Sequence, residues 1–441
     1  MKRLEKRALI CLTLAAVLLL GLGVFVYRFA AYGNEWATFY VNQSIYSEGR
    51  LNVGRVLDVN GTVLCDNTRE ENKYNDDWEI REATVHAVGD LDGNISTGAL
   101  SAYADKIVGY SLLTGTYSLT GKGPDITLSI DADVCKAAYQ ALGGRKGTVG
   151  VYNYETGEII CMVSSPTFDP ATYDKNEDQE SGMYLNKFLS SRFVPGSIFK
   201  LVTSAAAIEN LDDLDSWTYH CSGVSYINGE AITCVSAHGT VDFEGALAQS
   251  CNCAFAELTQ KIGSTLMREY VNKLGLTTSY DIDGISTAKG KFRFPKNVPL
   301  NLAWAGIGQY EDMINPCSMM VYMGAIANDG VAVTPKILHK VIGGTETERL
   351  LEEETASKLT EMMKNNVVVS YYESNFPGLD IYAKSGTAEV AGNEPHAWFS
   401  GFIKNKNNPY AFIVCVENGG SGSSVAAPVA NQVLQAIVNR E

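Results

Sequence analysis

Histidine is scarce in this chain: His86, His220, His238, His339 and His396 are the only five in 441 residues. None falls in an HExxH or another ligand-spaced pair, so no zinc-peptidase ligand set is visible, and neither a metal nor a cofactor is expected. Positive charge is also short. Lys and Arg total 35 against 50 Asp and Glu, a net charge of −15, which lacks the basic footprint that phosphate backbones require and sets nucleic acid aside as a partner. No internal repeat or low-complexity tract stands out. With 46% hydrophobic and 19% charged residues, the composition is that of a folded chain with room for two or three domains. No GxSxG elbow with a following Asp and His surrounds the candidate serines. Hydrolytic or acyl-transfer chemistry must therefore activate its nucleophile in another way.

The ten cysteines are too sparse for a disulfide scaffold in a chain of this length. Cys221 and Cys234 bracket a turn-rich segment containing Gly223 and Asn228-Gly229. A small disulfide-closed hairpin is one reading, and unpaired buried thiols are the other.

What is present begins at the N-terminus. Lys2, Arg3, Lys6 and Arg7 precede an uncharged run from Ala8 to Tyr27, and roughly twenty apolar residues cross a bilayer as a helix. The cations favour the cytoplasmic side. We expect a tail at 1–7, an anchor at 8–27 embedded in membrane lipid, and the remainder outside the cell membrane. A cleaved signal peptide is the rival, but its apolar core is usually shorter. No second run of this length appears, which predicts a single pass.

Residues 28–124 read as a separate, strand-rich region. Gly54-Arg55-Val56-Leu57-Asp58 leads into Asn60-Gly61, a hairpin signal. The polar stretch Arg69 to Glu82 predicts an exposed loop, and Gly121 to Pro124 a hinge. From 125 to 441 the pattern predicts an α/β (α+β) domain. Strands are expected at Val149–Tyr152, Ile159–Val163, Lys336–Ile342 and Ile381–Phe402, helices from Ser197 to about Gly330, and a closing helix at Val429–Val438.

Three short elements carry chemistry. Pro195-Gly196-Ser197-Ile198-Phe199-Lys200 is a turn opening a helix. Positions i and i+3 share a helix face, so Lys200 can take the Ser197 proton if burial or a neighbouring cation keeps it neutral. Ser250-Cys251-Asn252 can project a hydroxyl and an amide toward a common site, although Ser and Asn are also ordinary helix caps. Lys384-Ser385-Gly386-Thr387 sits in a strand pattern, with Gly386 permitting close approach. There Lys384 and Thr387 can hold a carboxylate. Each element alone is common in sequences; their order within one domain is not.

Ser-x-x-Lys, Ser-x-Asn and Lys-Thr-Gly together form the signature of penicillin-binding proteins and class A β-lactamases, here with Ser385 in place of Thr. The chain resembles the class B penicillin-binding proteins over most of its length. The likeness includes Gly54 to Gly61, Gly157-Glu158-Ile159, Phe168-Asp169-Pro170, His238-Gly239, Gly308-Gln309, Ala327 to Gly330 and Ala397 to Phe402. The resemblance implies a serine transpeptidase, β-lactamase-like fold: an antiparallel sheet flanked by helices, with an all-helical subdomain and a non-catalytic pedestal ahead of it. It implies that Ser197 is acylated by the D-Ala-D-Ala end of a peptidoglycan stem peptide, and by β-lactams that imitate it. Lys200 would be the base, Ser250 a proton relay and Asn252 a positioning group. Lys384, Ser385 and Thr387 would hold the terminal carboxylate, with Gly386 between them. A polytopic glycosyltransferase is the implied partner.

A β-lactamase or D,D-carboxypeptidase of the same fold is the nearest alternative. The closest local string to a deacylating Glu-x-x-Leu-Asn runs from Glu180 to Asn186, upstream of Ser197 and wrongly spaced. A β-lactam sensor would need an output domain that seven residues ahead of the span do not supply. An idle scaffold would not need Ser197, Lys200, Ser250, Asn252 and Lys384 intact.

Overall fold

The computed structural model describes residues 2–38, 54–69, 71, 73–108, 110–111, 116–117, 123–174, 180–339, 344–405 and 407–439. Part of the expected hinge (121 and 122) and of the expected Lys336–Ile342 strand (340–342) lies outside the described residues; the described part of that strand is corrected, since Lys336 and Leu338 make only isolated bridges to Glu158 and Leu128. Helix α1 (Lys2–Thr38) contains the expected anchor and extends past it at both ends. Its stretch Arg3–Gly33 is long and apolar enough to cross a membrane, and none of its most apolar window is buried against the protein.

Strands β1 (Arg55–Leu57) and β2 (Val63–Asp66) form the expected hairpin. Asp58 is its clasp. The buried carboxylate accepts from the N–H groups of Asn60 (2.9 Å), Thr62 (2.7 Å) and Ala132 (3.1 Å), tying the turn to the next domain. The strands of this region are short, and its largest described element is helix α2 (Trp78–Val88). The exposed loop expected over Arg69–Glu82 is therefore corrected: its last turn is helical from Trp78. Asp77 caps that helix, accepting from Glu79 N–H, and Ile80, Ala83 and Ala87 bury one side of it. An acidic composition hid this apolar spacing. Arg81 then reaches Asp169 with two bonds of 2.7 and 2.6 Å, locking α2 to the chain beyond it.

Strand β3 (Ile126–Thr127) runs parallel to β1 and leads to α3 (Ala132–Leu142), β4 (Gly147–Asn153) and β5 (Ile159–Ser165). Helix α4 (Lys200–Asn210) follows a single 3₁₀ turn at Gly196–Phe199. The subdomain expected to be all-helical is not wholly so. Two nested hairpins come first: β6 (Thr218–Cys221) pairs with β9 (Gly239–Asp242), and between them β7 (Val224–Ile227) pairs with β8 (Glu230–Thr233) across Asn228-Gly229. Both turn residues have positive φ (54° and 86°), the geometry that makes Asn-Gly the preferred two-residue turn. Helices α5 (Phe243–Ala248), α6 (Asn252–Lys273) and α7 (Pro299–Gly306) complete the subdomain.

Helix α8 (Pro316–Ala327) is apolar throughout and wholly buried. Helix α9 (Glu353–Asn366) precedes strands β10 (Ile381–Val390), β11 (Asn393–Asn405) and β12 (Asn408–Val416), and α10 (Ala427–Val438) closes the described chain. The main sheet is antiparallel throughout, in the order β10-β11-β12-β4-β5. Its two ends in sequence meet at β12 and β4, as the sequence predicts. The central strands are buried over most of their length, with helices on both faces. Helices α3 and α10 pack on one face and α8 on the other.

The contact between α8 and the sheet is tight. A Cβ at Gly324 would lie 1.8 Å from the buried Tyr152 Oη on β4. Gly324→Ala should lower stability by about 1–3 kcal/mol, the usual range for overpacking, read as a lowered urea midpoint. Tyr152→Phe in that background should restore part of the loss. Full stability in the single variant would show that this contact is not a constraint.

Candidate active site

Ser197 stands at the first turn of the helical run that becomes α4. Pro195 and Gly196 set it there, with Gly196 at φ 55°. A side chain at 196 would meet the Thr387 carbonyl at 2.8 Å, so this turn lies directly against β10. The Gly196 N–H donates to the Gly308 carbonyl (2.8 Å) on the loop after α7. One helical turn on, Lys200 points back along the same face.

The Lys200 side chain is wholly buried, as are its sequence neighbours Ile198, Phe199 and Leu201, and its Nζ lies 5.8 Å from the centre of the Phe255 ring. Its Nζ lies 2.7 Å from the Ser250 carbonyl, 2.7 Å from Asn252 Oδ1, 3.0 Å from Ser197 Oγ and 3.1 Å from Ser250 Oγ. Two of these four partners can only accept, since the Asn252 amide is oriented by its Nδ2 donating to the Thr233 carbonyl (2.8 Å). A neutral amine has two hydrogens. Spending them on Ser250 O and Asn252 Oδ1 leaves the lone pair facing the two hydroxyls. The electrostatics agree: burial, then the neighbouring Lys384 charge, holds Lys200 well below the ordinary lysine range.

Lys384 comes from β10 across the cleft and is also wholly buried. Its Nζ donates to Ser250 Oγ (3.1 Å) and to the Ser385 carbonyl (3.0 Å). Burial lowers its pKa to about 7. Ser250 thus bridges the two amines. It adopts a left-handed backbone, φ 53°, uncommon for a residue with a Cβ and frequent at functional sites. Helix α5 ends just before it and α6 begins just after, with Cys251 as the cap whose sulfur accepts from the Ala254 N–H.

The structure brings Ser197, Lys200, Ser250, Asn252 and Lys384 into one connected network. Ser385 and Thr387 line the same cleft of about 220 Å³, together with Gln309 and Trp304. Gly386 is packed behind it, where a side chain would meet Ile198 and Trp398. Sequence inspection missed Tyr371. This buried phenol accepts from the Ser385 N–H (2.8 Å) and donates to Ser385 Oγ (3.0 Å), fixing the strand that carries the third element. Its segment, Val367-Val368-Val369-Ser370-Tyr371, carries no motif that would have marked it.

Comparison with known proteins agrees with this arrangement. Residues 147–435 match the family model described as the penicillin binding protein transpeptidase domain. The peptidoglycan D,D-transpeptidase PbpA of Mycolicibacterium smegmatis is 28% identical, over 71% of this chain and 72% of its own length. Its Mycobacterium tuberculosis counterpart is 26% identical, over 73% and 74%. A solved structure of penicillin-binding protein A from M. tuberculosis, a ceftriaxone acyl-enzyme complex, superposes with a TM-score of 0.77 at 23% identity. It covers 87% of this chain and 98% of that one, a likeness of fold. The serine–lysine pair, the strained Ser250 turn and the buried strand lysine, standing in a domain matched along most of its length, place this chain in the penicillin-binding protein transpeptidase family.

Proposed function

We propose that this chain is a serine-type peptidoglycan D,D-transpeptidase, and the observation that carries this reading is the Lys200 amine held between Ser197, Ser250 and Asn252 with no carboxylate among its hydrogen-bond partners in the described residues. A stem peptide ending in D-alanyl-D-alanine would enter the cleft with its carboxylate toward Lys384, Ser385 and Thr387. Lys200 takes the Ser197 proton as Oγ attacks the penultimate carbonyl. The charge that develops on the carbonyl oxygen falls to the Ser197 N–H, free of an intrahelical partner at the helix start, and to the Thr387 N–H, worth about 2.7–4 kcal/mol per donor.

Ser250 then passes a proton to the departing D-alanine amine, since its hydroxyl touches both lysines. Asn252 holds Lys200 and orients the peptide. The ester at Ser197 next meets the amine of a second stem peptide, which loses a proton to Lys200 as it forms the cross-link and frees the serine. A β-lactam would enter the same way and remain on Ser197.

Residues 28–124 serve in this reading as a non-catalytic pedestal, joined to the catalytic domain (125–441) through Asp58 and Arg81. The apolar helix is a single-pass anchor in lipid, with its basic end in the cytoplasm and the catalytic domain outside. A polytopic glycosyltransferase would supply the glycan strands.

Fluorescent penicillin should label the wild-type chain covalently, whereas Ser197→Ala should give no adduct by intact mass. With lipid-linked peptidoglycan and a glycosyltransferase, cross-linked dimers should outnumber trimmed monomers. An excess of trimmed monomers would instead identify a carboxypeptidase.

The electrostatics predict a pH signature. Acylation should fall on acidification as Lys200 gains a proton, and general-base loss in Lys200→Ala should cost about 10²–10⁴-fold. The Lys384 charge pushes the Lys200 pKa down, so Lys384→Met should move the acidic limb of the acylation profile to higher pH. An unmoved limb would mean that the two amines do not sense each other.

A further inference from the structure

Behind the Ser250 turn, four sulfurs and an imidazole converge. Cys221 ends β6, Cys234 follows β8, and His238 precedes β9, so all three lie where the nested hairpins join. Cys251 arrives from the start of α6. The ligand atoms of Cys221, Cys234, His238 and Cys251 all lie within 4.8 Å of one another.

The spacing separates the possible chemistries. Cys234 Sγ is 3.7 Å from Cys221 Sγ and 3.7 Å from Cys251 Sγ. A disulfide needs about 2.05 Å. Zinc–sulfur bonds of about 2.3 Å in a tetrahedron set sulfurs about 3.8 Å apart. The observed separations match the edge of that tetrahedron.

Two further observations point inward. His238 Nδ1 is buried without a hydrogen-bond partner, so the imidazole carries an unspent ligand atom. Each sulfur also receives a backbone N–H at 3.4 Å: Gly223 to Cys221, Cys253 to Cys234, and Ala254 to Cys251. Such outer bonds orient thiolate ligands and stabilise their charge. They are donors placed for sulfurs that act as acceptors.

We propose that Cys221, Cys234, Cys251 and His238 bind one Zn²⁺ in a closed tetrahedral site that braces the Ser250–Asn252 turn. Binding releases three thiol protons to solvent and leaves a Cys₃His centre with a net charge of −1. Four protein ligands leave no open position, which makes the metal structural. Cys253 Sγ also lies 3.5 Å from Cys234 Sγ, but it falls outside the set of ligand atoms that lie within 4.8 Å of one another; it donates to the Ile232 carbonyl (3.6 Å), and the Cys253 N–H supports Cys234. Cys251 lies between Ser250 and Asn252, so a metal bond to its sulfur pins the turn that holds Lys200. The metal site stands without the transpeptidase reading; its effect on acylation rests on that reading.

The test uses the full chain in detergent, purified without chelator. Elemental analysis should find one zinc per chain, and mercurial titration should release it as three thiols react. Cys234→Ser and His238→Ala should weaken zinc retention against a chelator at least about tenfold, while Cys253→Ser keeps it. A folded wild type that carries and accepts no zinc would overturn the site. So would a disulfide among these cysteines in non-reducing mass mapping, or zinc retention unchanged in Cys234→Ser. Should Cys234→Ser fail to fold, the mercurial titration of the wild type decides. Removing zinc should slow penicillin acylation several-fold, and adding it back should restore the rate; an unchanged rate would overturn the bracing role. A zinc-loaded chain that penicillin never labels would sink the acyl-transfer reading and leave the metal site intact.

Discussion

A buried amine held against carbonyl, amide and hydroxyl oxygens, with no counter-ion among the described residues, is the constraint around which this molecule is arranged. Moving an ammonium group out of water without a partner is costly enough that it gives up its proton instead. Among the described residues, Lys200 meets carbonyl, amide and hydroxyl oxygens but no carboxylate. A single aspartate in that shell would favour the charged amine instead. Lys384 works in the same direction from the opposite wall, adding a repulsive charge to the effect of burial.

Meeting that constraint takes parts from distant stretches of the chain. The Ser197 turn is pressed onto β10 where only Gly196 fits, and the strand is fixed from its other side by Tyr371. Asn366, at the end of α9, adds a bond of 3.0 Å to the Ala383 carbonyl. The Ser250 turn is the strained part, a left-handed residue between two helices, and the cysteine cluster lies immediately behind it. Rigid sheet on one side and a braced turn on the other hold the two amines on Ser250 Oγ. Such preorganisation, more than the identity of the groups, is what acyl transfer requires.

Some of this was legible in one dimension. The Ser-x-x-Lys pair could be placed on one helix face because 3.6 residues per turn allow little else. Asn228-Gly229 announced its hairpin, and the strand patterns around 149–163 and 381–402 announced the sheet. Other parts were hidden. The polar side of α2 masked a helix beginning at Trp78. Tyr371 sits in a valine-rich segment that reads as packing, and only the fold aims its hydroxyl at Ser385. The cysteines carried no recognisable ligand spacing, since Cys221, Cys234, His238 and Cys251 come from separate hairpin strands and a helix start.

The sequence by itself determined the apolar N-terminal helix, the kinds of element present and the three reactive clusters, because these depend on local periodicity and on residue chemistry. Tertiary structure alone decided that burial and a neighbouring amine drive the Lys200 pKa down, that Ser250 touches both amines, and that the thiols meet at the tetrahedral edge length. Each of these depends on burial and on distances between segments tens to hundreds of residues apart. Such distances are set by packing the whole sheet and its helices, and no local pattern encodes them.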